Sequence, residues 1–364
     1  MTEQIVAALE AFIADKRRLQ AEHPLRYLFW EATLRCNLAC RHCGSDCVRD
    51  NSSAAREIPA ELIKRQLDDI ARRHDPADIT FAIIGGEPLV RDDIIDVGAH
   101  AASLGYFWGI TTNGLLLEPD RVARLKAAGL KTISVSLDGL EADHDALRRR
   151  RGGWRQTVEG IGRLMDDRFW RAMDIICCVS RLNIDRLEPF IDILAGMGVP
   201  RVRFTPVFSR GRAGRDDGLL LDQDGYRRLL RMVADQRAGR SEIEVTLSEE
   251  GYWGPTWECR VRGEMHYCGS GTVIGSILHD GRVTGCPSVS RRFAFGSLHD
   301  ESFLTLWDRD FGTFRAGREA LFAPTCQGCA HWDLCEGGGF HLLDPEGPVP
   351  EACGMAKIGE REKI

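Results

Sequence analysis

The stretch Leu34-Arg35-Cys36-Asn37-Leu38-Ala39-Cys40-Arg41-His42-Cys43 sets three cysteines in a C-x₃-C-x₂-C array, directly after an apolar and aromatic run at 26–32. Three thiolates, not four, is the informative number. A tight loop carrying three can wrap three irons of a cubane cluster and leave the fourth open to an outside ligand. A structural zinc ion wants a fourth protein ligand, which Cys47 or His42 could supply. These ten residues alone leave both readings open.

Working outward, short β-branched and aromatic runs at 26–32, 79–84, 107–111, 132–137, 174–179 and 202–207 alternate with amphipathic stretches at 60–73, 92–104, 120–128, 156–167 and 185–197. Such alternation predicts an α/β fold whose parallel strands are joined by right-handed crossovers, as an open sheet or a barrel. GGEP at 85–88, TTNG at 111–114 and SLDG at 136–139 follow the second, third and fourth strands. In these folds, chemistry collects on loops at the carboxyl ends of strands.

The 364 residues suffice for one large domain and a smaller one. A net charge of −6 excludes nucleic acid as a main partner, because phosphate binding needs a basic surface. No apolar run approaches a membrane span, and the first twenty residues have helical periodicity without a signal peptide's unbroken apolar core. A cytoplasmic location follows, where thiols stay reduced. The 13 cysteines, an odd number, therefore read as metal ligands rather than disulfides. They gather at 36–47 and 259–353, with Cys177 and Cys178 between, in a buried-looking strand that suits inert core thiols.

C-x₃-C-x-His-C followed in order by GGEP, TTNG and SLDG resembles the radical S-adenosylmethionine (SAM) superfamily over about residues 26–240. The resemblance implies a partial (β/α)₆ TIM-type barrel, with a [4Fe-4S] cluster on Cys36, Cys40 and Cys43. It implies reductive cleavage of SAM to methionine and a 5′-deoxyadenosyl radical that abstracts hydrogen from a substrate. A one-electron reductant such as flavodoxin or ferredoxin would feed it. By the same resemblance, the backbone around Gly86 holds SAM's amino group with Glu87 nearby, and the His42 ring lies near the adenine. Asn113, Ser136 and Arg148 match SAM-binding positions. An Asn-Gly turn needs no function to explain it, and Arg148 also opens an arginine run that reads equally as a solvated helix face.

Cys268, Gly281, Cys286, then Cys326-x₂-Cys329-x₅-Cys335 and finally Cys353 resemble the SPASM extension over about residues 250–355. One or two auxiliary [4Fe-4S] clusters are implied. Cys326, Cys329, Cys335 and Cys353 complete one set, although four cysteines with a C-x₂-C pair also suit zinc. The other set departs from the family, since Gly339 stands where a further cysteine is expected. Cys268 and Cys286 remain, with Cys259 upstream as an additional ligand. That cluster then keeps an open iron, recruits a residue such as His341, or is absent.

The expected organisation is an N-terminal helix at 1–25, the barrel at 26–244, a small cysteine-rich iron–sulfur (SPASM-like) domain at 245–355, and a loosely held tail at 356–364. Beyond 245 helical periodicity fades, and metal crosslinks are expected to replace a large core. The resemblance favours a ribosomally made peptide as substrate. The 35 residues before Cys36 are too few for a further folded domain, so a separate leader-recognition protein, or the barrel itself, would bind that peptide. Oxidation or rearrangement of a small metabolite is the alternative. A non-catalytic iron–sulfur or zinc-binding module would explain the cysteines but not GGEP, Ser136 and Arg148 in barrel order. Pro287 after Cys286, where sulfatase-maturing relatives carry aspartate, disfavours that role.

Overall fold

The computed structural model describes residues 3–165, 172–215, 218–248, 251–309, 311–315, 317–343 and 353–360. Among the described residues, eight strands joined by parallel pairing and two more added through antiparallel pairing form a single sheet. The strands are β1 (Tyr27–Glu31), β2 (Thr80–Ile84), β3 (Phe107–Thr112), β4 (Thr132–Ser136), β5 (Ala172–Val179), β6 (Arg201–Pro206), β7 (Glu244–Leu247), β8 (Ile274–Ile277), β9 (Arg282–Thr284) and β10 (Gly296–Ser297). Their order is β10-β9-β8-β1-β2-β3-β4-β5-β6-β7. Helices α1 (Glu3–Glu22), α2 (Ala60–Ala71), α3 (Ile94–Leu104), α4 (Pro119–Ala127), α5 (Glu141–Arg148), α6 (Gly153–Met165), α7 (Leu187–Gly196) and α8 (Gln223–Gly239) complete the barrel half. Of the helix expected at 156–167, residues 166 and 167 lie outside the described residues.

Alternation along the strands follows the period of two: Phe81 and Ile83 are buried between the half-buried Thr80, Ala82 and Ile84. Close packing against α3 dictates one glycine. A Cβ on Gly98 would stand 2.4 Å from the Trp108 ring, so only glycine lets this indole lie against the helix. Two buried polar tips here are satisfied, Trp108 Nε1 donating to the Ala128 carbonyl at 3.1 Å and the Tyr106 hydroxyl to that of Leu67 at 2.8 Å.

The parallel register aligns the strand ends. Glu31 faces Ile84, Thr112 faces Val135 and Ser136 faces Ile176, so the loops after β1, β2, β3 and β4 emerge at one edge. Two parallel strands exceed the six read from the sequence. β7 crosses the 244/245 division and pairs with β6, while β8 adds to the free side of β1.

The cysteine-rich region is not short of a core. Phe303, Trp307, Phe311, Phe314, Phe340 and Phe322 make a chain of ring contacts, with centroids 4.8–5.8 Å apart, continuous with the barrel core. Aromatics spread over loops bury large areas without any periodicity. The tail expectation also needs correction. Ile358 is fully buried and its carbonyl accepts from Arg227 at 2.9 Å, so 353–360 docks; 361–364 lie outside the described residues. Buried Glu31 at the end of β1 joins the halves, accepting from Arg291 at 3.0 Å and contacting His279 Nδ1 at 3.1 Å. Among the described residues, no helix is long and apolar enough to cross a membrane.

Candidate active site and metal centres

The loop after β1 is closed at its base. The Cys36 amide donates to the Val48 carbonyl at 2.8 Å, and the Val48 amide to that of Leu34 at 2.9 Å. Cys40 is buried, while Cys36 and Cys43 are half-buried. Among the donors that address these sulfurs, the Leu38 amide lies 3.4 Å from Cys36 Sγ and Arg148 Nη1 3.8 Å from Cys40 Sγ. Burial first, then the charges of Glu87, Cys40 and Cys43, push the Cys36 thiol up to about 12, whereas Cys43 is pulled down by a hydrogen bond from Cys47. Among the described residues, the one group of three His, Cys or carboxylate ligand atoms within 4.8 Å of one another is His42, Asp138 and Cys178. Thiolates receiving N–H···S bonds suit an iron–sulfur cluster.

GGEP is stitched to this loop. The Gly86 amide donates to the Thr33 carbonyl at 2.8 Å, and that of Glu87 to Arg35 at 2.9 Å. A Cβ on Gly86 would fall 2.2 Å from the Arg35 carbonyl oxygen, which makes the glycine obligatory. Glu87 is fully buried and wholly engaged, accepting from the Leu89 amide at 3.1 Å, Thr112 Oγ1 at 2.9 Å and the Asn113 amide at 2.8 Å. Its carboxyl is raised by burial, against those bonds. Glu87 is thus a strut between the β2 and β3 loops. Asn113, a SAM-binding candidate whose turn chemistry needed no function to explain it, extends Nδ2 to Asn37 Oδ1 at 2.7 Å and lies 3.9 Å from Cys36 Sγ. Ser136 is half-buried at the end of β4.

A second network runs behind Cys40. Arg148 ends α5 in the interior, its Nε donating to Asp138 at 2.6 Å, so it does not belong to a solvated helix face. Asp138 also accepts from the Cys178 amide at 3.0 Å, and His42 Nε2 approaches it at 3.4 Å. Burial would raise the Asp138 carboxyl, but Arg148, His42 and His144 hold it well below the usual range. Burial brings His42 down to about 4, so the ring is neutral at pH 7. Its Nε2 proton faces Asp138, leaving the buried Nδ1, which lacks a protein partner, as an acceptor. Cys177 is fully buried as expected of a core thiol, but Cys178 belongs to this group. Asp138 was visible within SLDG yet given no role.

Arg212, after β6, was missed altogether. Its Nε donates to the Cys40 carbonyl at 2.7 Å, Nη1 to that of Cys47 at 2.8 Å, and its amide to that of Cys43 at 3.0 Å. Gly211 permits this approach, with φ of 55° and a notional Cβ 2.5 Å from the Cys43 oxygen. Nothing in the local sequence beyond Gly-Arg signals the clamp.

In the C-terminal half, Cys326, Cys329, Cys335 and Cys353 are all half-buried. Burial, then the neighbouring Cys353 and Cys326, push Cys335 up to about 12, so these three thiols of the set lie near one another. Cys268 is buried and Cys286 half-buried, while Cys259 is exposed.

A parallel barrel with a three-thiol loop at its carboxyl edge, followed by a second cysteine set, defines an iron–sulfur enzyme that binds SAM. The chain belongs to the radical SAM superfamily, whose model matches residues 30–194, and a model described as an iron–sulfur cluster-binding domain matches residues 268–330. SAM and [4Fe-4S] clusters are its cofactors. Mycofactocin maturase MftC of Mycolicibacterium smegmatis is 30% identical over 334 residues, covering 89% of this chain and 81% of that protein. AdoMet-dependent heme synthase of Methanosarcina barkeri is 26% identical, over 86% of this chain and 90% of its own. The crystal structure of Streptococcus suis SuiB bound to precursor peptide SuiA shares the fold with a TM-score of 0.68 and 17% identity, covering 88% of this chain and 75% of that one.

Proposed function

We propose that this radical SAM enzyme modifies a ribosomally made peptide. The observation that carries the reading is the 30% identity to a mycofactocin maturase across 89% of the chain. In this reading the barrel comprises 26–244 and the auxiliary-cluster domain 245–355, with a flavodoxin- or ferredoxin-type reductant and a separate leader-recognition protein as partners.

Cys36, Cys40 and Cys43 hold the cluster that, when bound and reduced, supplies the electron for cleaving SAM's carbon–sulfur bond. The chain's own residues hold and orient. Gly86 brings the GGEP backbone against the cluster loop, and Glu87 fixes that loop to the one carrying Asn113. Arg148 spends its Nε on Asp138 and braces Cys40, leaving part of the guanidinium fork for a SAM oxygen. Ser136 offers a hydroxyl to the ribose or carboxylate. The neutral His42 ring, with Nδ1 as acceptor, suits an adenine amino group. The shared burial of Glu87, Asp138 and His42 keeps water from the strand edge.

The test is anaerobic incubation of reduced protein and SAM with short peptides encoded beside the gene, followed by mass spectrometry. A SAM-dependent mass change in one peptide supports the reading. The 26% identity to a heme synthase favours a second, small-molecule reading. Turnover of a tetrapyrrole with every peptide unchanged would replace the first by the second.

A further inference from the structure

The auxiliary site that lacks a cysteine has a histidine in the vacated space. A Cβ built on Gly339 would stand 2.5 Å from His341 Cε1 and 2.7 Å from its Nδ1. The imidazole therefore fills the volume that a cysteine side chain at 339 would occupy. The Phe208 ring meets it edge-on, with centroids 5.4 Å apart.

Three independent contacts bring the remaining donors to this place. Arg318 donates to the carbonyls of Glu336 at 2.9 Å, Gly338 at 2.6 Å and Cys268 at 3.5 Å, joining the Cys268 and Gly339 segments. Arg210 bridges the carbonyls of Ser288 and His341, joining the Cys286 turn to the histidine. Phe314 meets Gly271 and Gly285, whose notional Cβ atoms fall 2.3 and 2.8 Å from it, and its ring is tilted against that of Phe340 with centroids 4.8 Å apart. The segments carrying Cys268, Cys286 and His341 thus pack about one ring. Beside them His266 is 3% exposed, with neither ring nitrogen hydrogen-bonded to protein, and both Arg318 and His341 act on it. A fully buried imidazole with two unmet nitrogens marks a pocket shaped for a polar occupant.

We infer that His341 supplies the nitrogen ligand that replaces the missing thiolate, giving an auxiliary cluster held by Cys268, Cys286 and a histidine. Imidazole ligation in place of thiolate raises a cluster's potential, since a neutral ligand stabilises the reduced state. Such a centre suits accepting an electron from a substrate radical.

The inference does not depend on which substrate is modified, and its test uses none. The whole chain is reconstituted anaerobically without SAM, reduced and examined by pulsed EPR for ¹⁴N coupling, with iron counted per chain. Wild type is expected to show about twelve irons and a strongly coupled nitrogen. His341→Ala should lose the nitrogen coupling and about four irons. Gly339→Cys with His341→Ala should recover the iron without the coupling, which also separates ligand loss from misfolding. Coupling that persists in H341A, or disappears only in H266A, would overturn the assignment, as would wild-type iron for only two clusters.

Discussion

Replacing Arg148 by methionine would strip the buried Asp138 of its only full counter-charge within the site. The pair is closed at 2.6 Å, with side-chain exposures of 9% and 0%. What remains around the carboxylate includes the Cys178 amide at 3.0 Å, a neutral His42 at 3.4 Å and His144, itself brought down to about 4 by burial. Breaking such a pair from one side costs about 3–5 kcal/mol, because an uncompensated charge stays buried. Total stabilities are about 5–15 kcal/mol, so the loss is large. Arg155→Met, at an ion pair with exposures of 72% and 42%, is the control and should cost about 0–1 kcal/mol. The sign of the pH dependence follows. In wild type Asp138 is held low and stays ionised when folded. In the variant burial dominates, its folded pKa rises above the unfolded one, and the folded state gains a proton on acidification. The deficit should be greatest above pH 7 and shrink toward pH 5. Anaerobic urea unfolding followed by circular dichroism reads both quantities. A deficit below about 1 kcal/mol, the surface-pair level, or one independent of pH, would refute the reasoning. Asp138→Asn added to R148M should recover part of the loss, the mark of direct coupling.

Gly86→Ala forces a Cβ to 2.2 Å from the Arg35 oxygen and should weaken SAM binding at least about tenfold by equilibrium dialysis, the equivalent of about 1.4 kcal/mol. Gly44→Ala, with nothing within 4 Å of its Cβ, should leave that affinity unchanged. Arg212→Gln removes a positive charge beside Cys43 and two bonds to the cluster loop. The reduction potential of the SAM-binding cluster should fall, by an amount on the order of the 59 mV of a tenfold one-electron shift, in redox titration followed by EPR. Cys335→Ala should lower iron by about four per chain without altering zinc, and one zinc per wild-type chain would contradict the cluster assignment.

The barrel was legible because its signals are local. The run 132–137 and the strand Thr132–Ser136 agree to a residue, since a β-branched run ending in Ser-Leu-Asp-Gly carries both its propensity and its stop. β7 escaped notice because four residues, Glu-Val-Thr-Leu, are too few for a pattern, and its pairing with β6 spans about forty residues of chain. The C-terminal core escaped for a related reason. Trp307, Phe311 and Phe340 meet only through tertiary contacts, so no window of sequence reveals that they share a core. In the candidate site, residues inside recognisable motifs could be named from the sequence, and Asn113 among them lies 3.9 Å from Cys36 Sγ. Asp138 and Arg212 show the limit. One stood in a quoted motif whose partner lies ten residues on, and the other acts through backbone carbonyls, which leave no mark on the residues they belong to.

The central claim is that Cys36, Cys40 and Cys43 carry the cluster at which this chain cleaves SAM. Its most direct test is to reduce the anaerobically reconstituted protein with dithionite, add SAM and quantify 5′-deoxyadenosine and methionine. The account predicts both products in equal amounts, and neither from Cys36→Ala protein that retains its auxiliary iron. Iron-loaded wild type that forms no 5′-deoxyadenosine, or C36A protein that forms as much as wild type, would contradict it.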